Sequence, residues 1–249
     1  MPWFFQEELS QSFVSLSTEE TKHITKSLRL KEGDPVWITD GKGTLAKASL
    51  ANIAKNSCEM VILERSFQDK LSQKQLYLAV APTKNPNRME WLVEKAVEIG
   101  VSQIAFIICD RSERKHIDLS RLHRIAIAAL KQSKGTWLPE LKTVSFWQFL
   151  NDPCIHTENK FIACCGKKEQ TEDISHIEYQ QKNAVFLIGP EGDFTEQEVT
   201  AAKMHGFKPV SLGEKTLRTE TAALLVACCF AIKSIQTLQT EILPLQAGV

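Results

Sequence analysis

From Leu76 to the end of the chain, short apolar runs alternate with amphipathic stretches of helical period. The runs at 104–109 and 185–188 are continuously apolar, which predicts strands covered on both faces of a sheet. The stretch at 118–134 places its apolar residues on one helical face. Because crossover helices join parallel strands, this alternation predicts an α/β domain with a mostly parallel sheet.

The earlier part of the chain has a different pattern of short strands and turns. An Asp-Gly turn at 40–43 separates apolar runs at 36–38 and 45–48, which is typical of a β-hairpin. These signals predict a small β-rich domain, with a barrel as one option. A polar stretch then separates the two patterns, so we predict two domains, 1–69 and 74–249.

Capping residues predict where several helices begin. Thr18 is expected to cap a helix that runs to about Leu30. Asn85, followed by a proline, is typical of a cap with proline at the first helical position. Thr195 and Glu198 match the capping-box spacing.

The composition favours a reduced, cytoplasmic protein. Lys and Arg number 30 and so do Asp and Glu, so a nucleic-acid role needs a local basic face. The seven cysteines show no CxxC or zinc-like spacing, which predicts neither a disulfide framework nor a metal site. The start of the chain lacks the pattern of a signal peptide, and the longest apolar run, 222–232, is too short to span a bilayer.

Two glycine-bearing segments carry the strongest functional signals. The sequence Gly-Pro-Glu-Gly-Asp-Phe at 189–194 follows the predicted strand at 185–188, and Leu212-Gly213 ends another strand pattern. Glycine lets a backbone approach a ligand closely, and ligand-binding loops gather at the carboxyl ends of parallel strands. Two such loops predict one pocket, although a tight ligand-free turn explains the first loop equally well. No GxGxxG or P-loop pattern occurs, which disfavours nicotinamide and nucleotide-triphosphate chemistry.

Charged residues follow several of the predicted strands. Arg218 and Glu220 flank Thr219 at the start of an apolar helix, where anions bind readily, although an ordinary capped helix explains this segment better on its own. The cations after two other strand ends are predicted to share one rim of the sheet, although runs of this kind are usually solvated loops. These cations are Lys84, Arg88, Arg111 and Arg114.

These motifs, taken in order, make the chain resemble the RsmE family, uridine N3 methyltransferases of the SPOUT class that act on small-subunit ribosomal RNA. The most specific matches are the segments 188–192, 212–213 and 217–222. Further matches occur in both halves of the chain: His23, Leu28-Arg29, Gly33-Asp34, Arg88 to Trp91, Glu94 to Ala96, Glu98, Gly100-Val101, Arg111-Ser112 and Gln132-Ser133.

The resemblance implies a PUA-like β-barrel before an α/β domain with a trefoil knot. It also implies a homodimer, 16S ribosomal RNA within the small ribosomal subunit as partner, S-adenosylmethionine as cofactor, no metal and no membrane. The implied donor pocket comprises Ile188, Gly189, Pro190, Glu191, Gly192, Leu212, Gly213, Leu217, Arg218 and Thr219. The implied RNA-binding residues are His23, Arg29, Lys84, Arg88, Arg111 and Arg114.

Two positions depart from the family pattern. Asp193 stands where a second glycine is common, and Lys131 where a glutamate is common. They leave room for a non-catalytic RNA-binding or ribosome-assembly factor on the same fold. A methyltransferase of the same class that acts on another RNA is a further alternative.

Methylation at uracil N3 sets a chemical requirement. N3 carries a proton at neutral pH, so a base or a cation that stabilises the uracil anion is needed. We predict that Arg218 stabilises the uracil oxygens or orients an RNA phosphate. Glu220 is predicted to orient Arg218 or accept the proton, and Glu191 is the alternative acceptor.

Overall fold

The protein divides into two compact units, 1–73 with 127–138, and 74–126 with 139–249. The computed structural model describes residues 1–54, 57–70, 74–152, 157–164, 171–179 and 183–242, with side chains to Ile235. The domain bounds 1–69 and 74–249 stay a prediction. Residues 127–138, which lie within the second of those ranges, group with the first unit.

The first unit is built on a five-stranded sheet in the order β1-β3-β4-β5-β2. The predicted hairpin at 40–43 is confirmed, since β3 and β4 pair in antiparallel fashion around it. One side of the sheet buries an apolar cluster that includes Phe4, Ile38 and Met60. The strands are β1 (Trp3–Phe5), β2 (Phe13–Leu16), β3 (Pro35–Thr39), β4 (Thr44–Ile53) and β5 (Cys58–Phe67).

The predicted helix of the first unit is shorter and less regular than the sequence suggested. Helix α1 (Thr18–Lys22) continues as a π-helical turn at His23–Leu28. Thr18 as the cap is wrong: Ser17 is the cap, and its side chain accepts from the N–H of Glu20 at 3.2 Å. The turn ends at Arg29, whose φ of 53° places it in the left-handed region.

The second unit is built on a seven-stranded parallel sheet, which confirms the predicted α/β class. The order is β10-β12-β9-β11-β6-β7-β8, with β11 between β9 and β6. All five residues of β11 are buried, as a strand covered on both faces requires. The strands are β6 (Leu76–Val80), β7 (Gln103–Ile108), β8 (Glu140–Ser145), β9 (Asn159–Ala163), β10 (Glu172–Asp173), β11 (Ala184–Ile188) and β12 (Lys208–Ser211).

The helices of the second unit begin where local caps predict. Asn85 caps α2, and the proline that follows it occupies the first helical position. Gly100 ends the helix with a φ of 91°. Thr195 and Glu198 form the predicted capping box of α5. The helices are α2 (Pro86–Ile99), α3 (Leu119–Ser133), α4 (Phe146–Leu150), α5 (Glu196–Met204) and α6 (Thr219–Ile242), with a 3-10 turn at Ile174–His176. Only the first part of α3 belongs to this unit, because its residues from 127 onward group with the first unit.

The path of the chain brings its last helix back to the middle of the sheet. Strand β12 lies on the far side of β9, yet α6 packs against α2, β6 and β11. The segment 212–218 therefore returns across the sheet to start α6 beside the β11 loop. The trefoil knot implied by the resemblance stays a prediction. No helix among the described residues has the length and hydropathy needed to cross a membrane.

Candidate functional site

Four loops leave the sheet of the second unit at its carboxyl edge. They follow β6, β7, β11 and β12 and comprise residues 81–85, 109–118, 189–195 and 212–218, which we call the rim. The strands are parallel, so their carboxyl ends share one edge, as expected for a ligand site in an α/β fold. The predicted donor-pocket residues lie in, or directly beside, two of these loops.

A buried carboxylate joins two rim loops. Glu198 is fully buried, and its Oε1 accepts from the N–H of Asp110 at 2.9 Å in the β7 loop. Its Oε2 accepts from the N–H of Thr195 at 2.8 Å in the β11 loop. Sequence reasoning found Glu198 only as part of a capping box. The bond to Asp110 carried no local signal, because it spans residues far apart in the chain.

Replacing Glu198 with alanine is expected to destabilise the protein by about 2–3 kcal/mol, because the capping box loses its N3 carboxylate and the N–H groups of Asp110 and Thr195 lose a charged acceptor. Urea denaturation measures this change. Glu196→Ala is the matched control, since Glu196 lies exposed on the same helix. Equal stabilities of the two variants would show that the bridge contributes nothing.

Two arginines predicted to bind RNA hold the rim together instead of standing free. Arg111 Nη1 donates to the carbonyl of Gly192 at 2.8 Å and to that of Phe194 at 3.4 Å. Arg114 Nη1 donates to the carbonyl of Lys84 at 3.2 Å. The predicted shared rim is therefore present. The guanidinium groups stabilise loop backbone, and their RNA-binding role stays a prediction.

Lys84 and Glu191 form another link across the rim. The N–H of Lys84 donates to Glu191 Oε1 at 3.1 Å. The Lys84 Nζ lies 2.8 Å from Glu113, and that hydrogen bond raises the pKa of the exposed ammonium. Both ends of this ion pair are open to solvent, so it contributes little stability. The Glu191 carboxylate is also exposed and lies where a ligand could reach it.

The backbone of the 189–195 loop accommodates Asp193 at a position where glycine is common in the family. Its φ is 59°, in the left-handed region that glycine adopts most easily and that aspartate tolerates. Its N–H donates to the carbonyl of Pro190 at 2.9 Å, which closes the turn. Its own Oδ1 accepts from the N–H of Phe194 at 2.8 Å. An aspartate at 193 is therefore compatible with this left-handed turn.

The two loops of the predicted donor pocket are tied to each other. Thr219 Oγ1 donates to the carbonyl of Gly189 at 2.9 Å, so the start of α6 is fixed to the end of β11. A Cβ on Gly189 would lie 3.1 Å from the ring of Phe194, so only glycine packs there without displacement. Glycine lets the backbone of this loop pass close to its neighbours.

The donor loops fit a nucleoside-containing cofactor. Gly213 has a φ of 108°, and apart from its two chain neighbours no described residue has an atom within 4 Å of the place where its Cβ would be. Its backbone is therefore uncovered and free to contact a flat ring. Residues 188–192 and 212–213 with 217–219 stay the predicted pocket for S-adenosylmethionine.

The charged residues of the α6 start divide into a buried pair and an exposed cation. Glu220 is 6% exposed, and its Oε1 lies 3.5 Å from Nε of Arg88 in the first turn of α2. The exposed Arg218 side chain makes no hydrogen bond or ion pair with the described residues. The structure thus places Glu220 beside Arg88 and not beside the Arg218 side chain. No contact among the described residues supports the prediction that Glu220 orients Arg218.

Other reactive groups near the rim do not offer a nucleophile or a metal site. Burial, with a smaller contribution from Glu198, raises the pKa of the Cys109 thiol well above its usual range. The thiol therefore stays protonated and unreactive at neutral pH. Over the ranges that the structure covers, no three His, Cys, Asp or Glu side chains are grouped so that they could hold a metal ion.

The predicted RNA-binding residues of the first unit lie on its π-helical turn. His23 begins this turn and Arg29 follows it, and both side chains are exposed. Lys131, the second departure from the family pattern, forms an ion pair with Glu20 in the same unit. A lysine at 131 is thus matched by an acidic partner.

Comparison with known proteins gives matches along most of the chain. A family model described as an RNA methyltransferase domain matches residues 70–231. A second model, described as an RNA methyltransferase PUA domain, matches residues 16–63. Together they confirm the expectation of a PUA-like domain before an α/β methyltransferase domain.

Solved structures and curated relatives agree with these matches. A crystal structure titled a probable rRNA-methyltransferase from Porphyromonas gingivalis is 34% identical, with a TM-score of 0.87 over 95% of this chain and 100% of that one. A ribosomal RNA small subunit methyltransferase E from Neisseria gonorrhoeae, bound to S-adenosyl methionine, is 28% identical, with a TM-score of 0.78 over 94% and 98%. The enzyme of the same name from Bacillus subtilis is 28% identical over 92% of this chain and 91% of its own.

Proposed function

The chain belongs to the RNA methyltransferase domain family, and from that premise we propose that it methylates N3 of a uridine in 16S ribosomal RNA. S-adenosylmethionine is the proposed donor and 3-methyluridine the proposed product. Relatives named as small-subunit ribosomal RNA methyltransferases support the substrate. A similar structure that contains S-adenosyl methionine supports the donor.

The observation that carries the proposal is the tie between the two donor loops. The bond from Thr219 to Gly189 joins the start of α6 to the end of β11, and Arg88, Glu220 and Arg218 lie at or next to that junction. We therefore propose that the donor loops and the charges that bind the acceptor belong to one site. Methyl transfer needs such alignment, and positioning can supply about 7–11 kcal/mol of the barrier.

The residues of this chain have three tasks in the proposed reaction. The segments 189–192, 212–213 and 217–219 hold the donor, which supplies a methyl group bonded to a positive sulfur. Arg218, which is exposed and has no side-chain partner among the described residues, is proposed to bind an acceptor phosphate or uracil oxygen. Glu191 and Glu220 stay predicted proton acceptors, and they differ in exposure.

The target uracil must be unpaired or turned out of its stack, because N3 lies on its pairing edge. We propose that the PUA-like unit, with His23 and Arg29, and the rim cations hold the surrounding RNA through phosphates.

We also propose that the protein acts in the cytoplasm and that it forms a homodimer. The exposed Ile232 and Ile235 of α6 are apolar surface of the kind that a second copy could cover.

Transfer of a labelled methyl group to isolated small ribosomal subunits tests the proposal. The subunits come from cells without this modification, and naked 16S RNA is assayed beside them. Because the net charge is zero, we expect weak binding of bare RNA and faster labelling of the assembled subunit. Equal rates on both substrates would contradict the preference, and no labelling of either would contradict the function.

A further inference from the structure

The carboxylate of Glu220 is shielded in a way that limits its chemistry. Its side chain is 8% exposed, and Oε1 faces Nε of Arg88 at 3.5 Å. Its second oxygen, Oε2, is buried and has no hydrogen-bond partner among the described residues. A substrate base cannot touch an oxygen that is covered by the protein. Glu220 in this conformation is therefore placed to act on Arg88.

A buried carboxylate is costly unless a cation or donor compensates it. Arg88 is the cation that lies next to Glu220, and the N-terminal end of α6 adds the positive end of a helix dipole. The 3.5 Å separation is longer than a tight charged hydrogen bond. The pair can therefore shorten as a ligand fills the space around it.

Arg88 has donors to spare. Nε is the guanidinium nitrogen nearest to Glu220, and Nη1 and Nη2 make no hydrogen bond with the part of the chain that the structure covers. The side chain is 30% exposed, so its outer edge is reachable. A guanidinium group carries its N–H donors in one rigid plane, and the neighbouring Glu220 carboxylate favours an orientation in which Nε faces it.

We propose that Arg88 is a catalytic residue that donates to a carbonyl oxygen beside N3 of the acceptor uracil, and that Glu220 is its positioning residue. The inference rests on the proposed function. It assigns Glu220 a different role from the proton acceptor predicted from the sequence. Arg218, which is exposed and has no counter-ion among the described residues, then binds a phosphate of the acceptor uridine.

The chemistry of the reaction explains why a hydrogen-bond donor beside O2 or O4 of the uracil accelerates methyl transfer. N3 loses its proton to solvent water, and the negative charge spreads over N3, O2 and O4. The N3 electron pair then forms the new bond to the methyl carbon, while the sulfur keeps the electron pair of the bond that breaks. A fixed guanidinium beside O2 or O4 stabilises the anion before and during this displacement.

The Arg88–Glu220 pair is better suited to bind a uracil carbonyl oxygen than an RNA phosphate. Glu220 neutralises much of the Arg88 charge, which weakens attraction to the diffuse negative charge of an RNA backbone. Directional donation to one carbonyl is retained, because it depends on geometry more than on net charge. The charge of the uracil anion is then met by a donor that was oriented in advance.

Two substitutions in the pair test the inference, with a matched ion pair as control. Arg88→Lys keeps the charge beside Glu220, so folding is protected, but removes the planar fork. Glu220→Gln keeps the shape and removes the counter-charge. The controls are Arg121→Lys and Glu90→Gln, because Arg121 Nε lies 2.7 Å from Glu90 in a pair that also involves α2.

For Arg88→Lys we expect kcat for subunit methylation to fall about tenfold, because one oriented donor to the uracil anion is lost. The Kd for S-adenosylmethionine and the melting temperature should stay close to those of the wild type. The loss should shrink as pH rises, since the uracil anion then forms without help. Glu220→Gln should show a smaller loss of kcat, and this loss should also shrink as pH rises. Both control variants should behave like the wild type.

Two results would overturn the inference. The first is Arg88→Lys with the kcat and pH profile of Arg121→Lys. The second is Glu220→Gln without activity at any pH while Arg88→Lys keeps the wild-type rate, which would make Glu220 the proton acceptor. Failure of the proposed function is a separate result: the wild-type protein itself would then form no 3-methyluridine.

Discussion

Replacing Arg218 with alanine is expected to lower kcat/KM for subunit methylation about 10²-fold, because a charged hydrogen bond to RNA is lost and the acceptor is misplaced. Arg218 directly precedes Thr219, whose hydroxyl ties α6 to Gly189, so its side chain projects from a fixed backbone. The guanidinium has no partner among the described residues and pays no cost to leave one.

The measurement is steady-state methylation of subunits beside equilibrium binding of S-adenosylmethionine. Donor affinity should change by less than about threefold, because the Arg218 side chain is proposed to bind the acceptor and not the donor. Lys215→Ala is the matched control, because Lys215 is an exposed cation of the same loop. Normal turnover and normal donor binding in Arg218→Ala would remove Arg218 from the site.

Replacing Phe186 with alanine is expected to lower the free energy of unfolding by about 3–5 kcal/mol, because the change leaves a large cavity in the core. Phe186 is fully buried in β11, between β9 and β6. Its ring stacks on Phe161 with centroids 4.8 Å apart, and Tyr179 packs edge-on at 6.3 Å. These contacts hold the strand that carries the Gly189 loop.

Urea denaturation monitored by circular dichroism measures the loss. Phe186→Leu should cost less, since it removes less volume. Phe13→Ala should change stability by less than about 0.5 kcal/mol, because Phe13 is 64% exposed. A loss below about 1 kcal/mol in Phe186→Ala would show that the sheet centre repacks around the cavity.

Local signals predicted the fold well where one short stretch decides the structure. Asn85, Gly100 and the Thr195–Glu198 box act on backbone groups within one turn, so they can be read without tertiary knowledge. Continuous apolar runs predicted the buried parallel strands for the same reason. Thr18 failed as a cap because Ser17 supplies the same chemistry one residue earlier.

The site was predictable only in part, because its contacts join distant parts of the chain. The glycine loops were found from composition at strand ends. The pairing of Arg88 with Glu220 and the donation from Arg111 to Gly192 depend on which loops meet at the sheet edge. No spacing in the sequence encodes these partners, so the support that Arg111 gives to the loop was not predicted, and its RNA-binding role stays a prediction.

Nucleoside analysis of small-subunit RNA after methylation with labelled S-adenosylmethionine tests the central claim most directly. The account predicts that the label elutes as 3-methyluridine when the wild-type protein is used, and that Arg218→Ala forms about 10²-fold less per unit time. Label in a different nucleoside, or equal labelling by the variant, would contradict it.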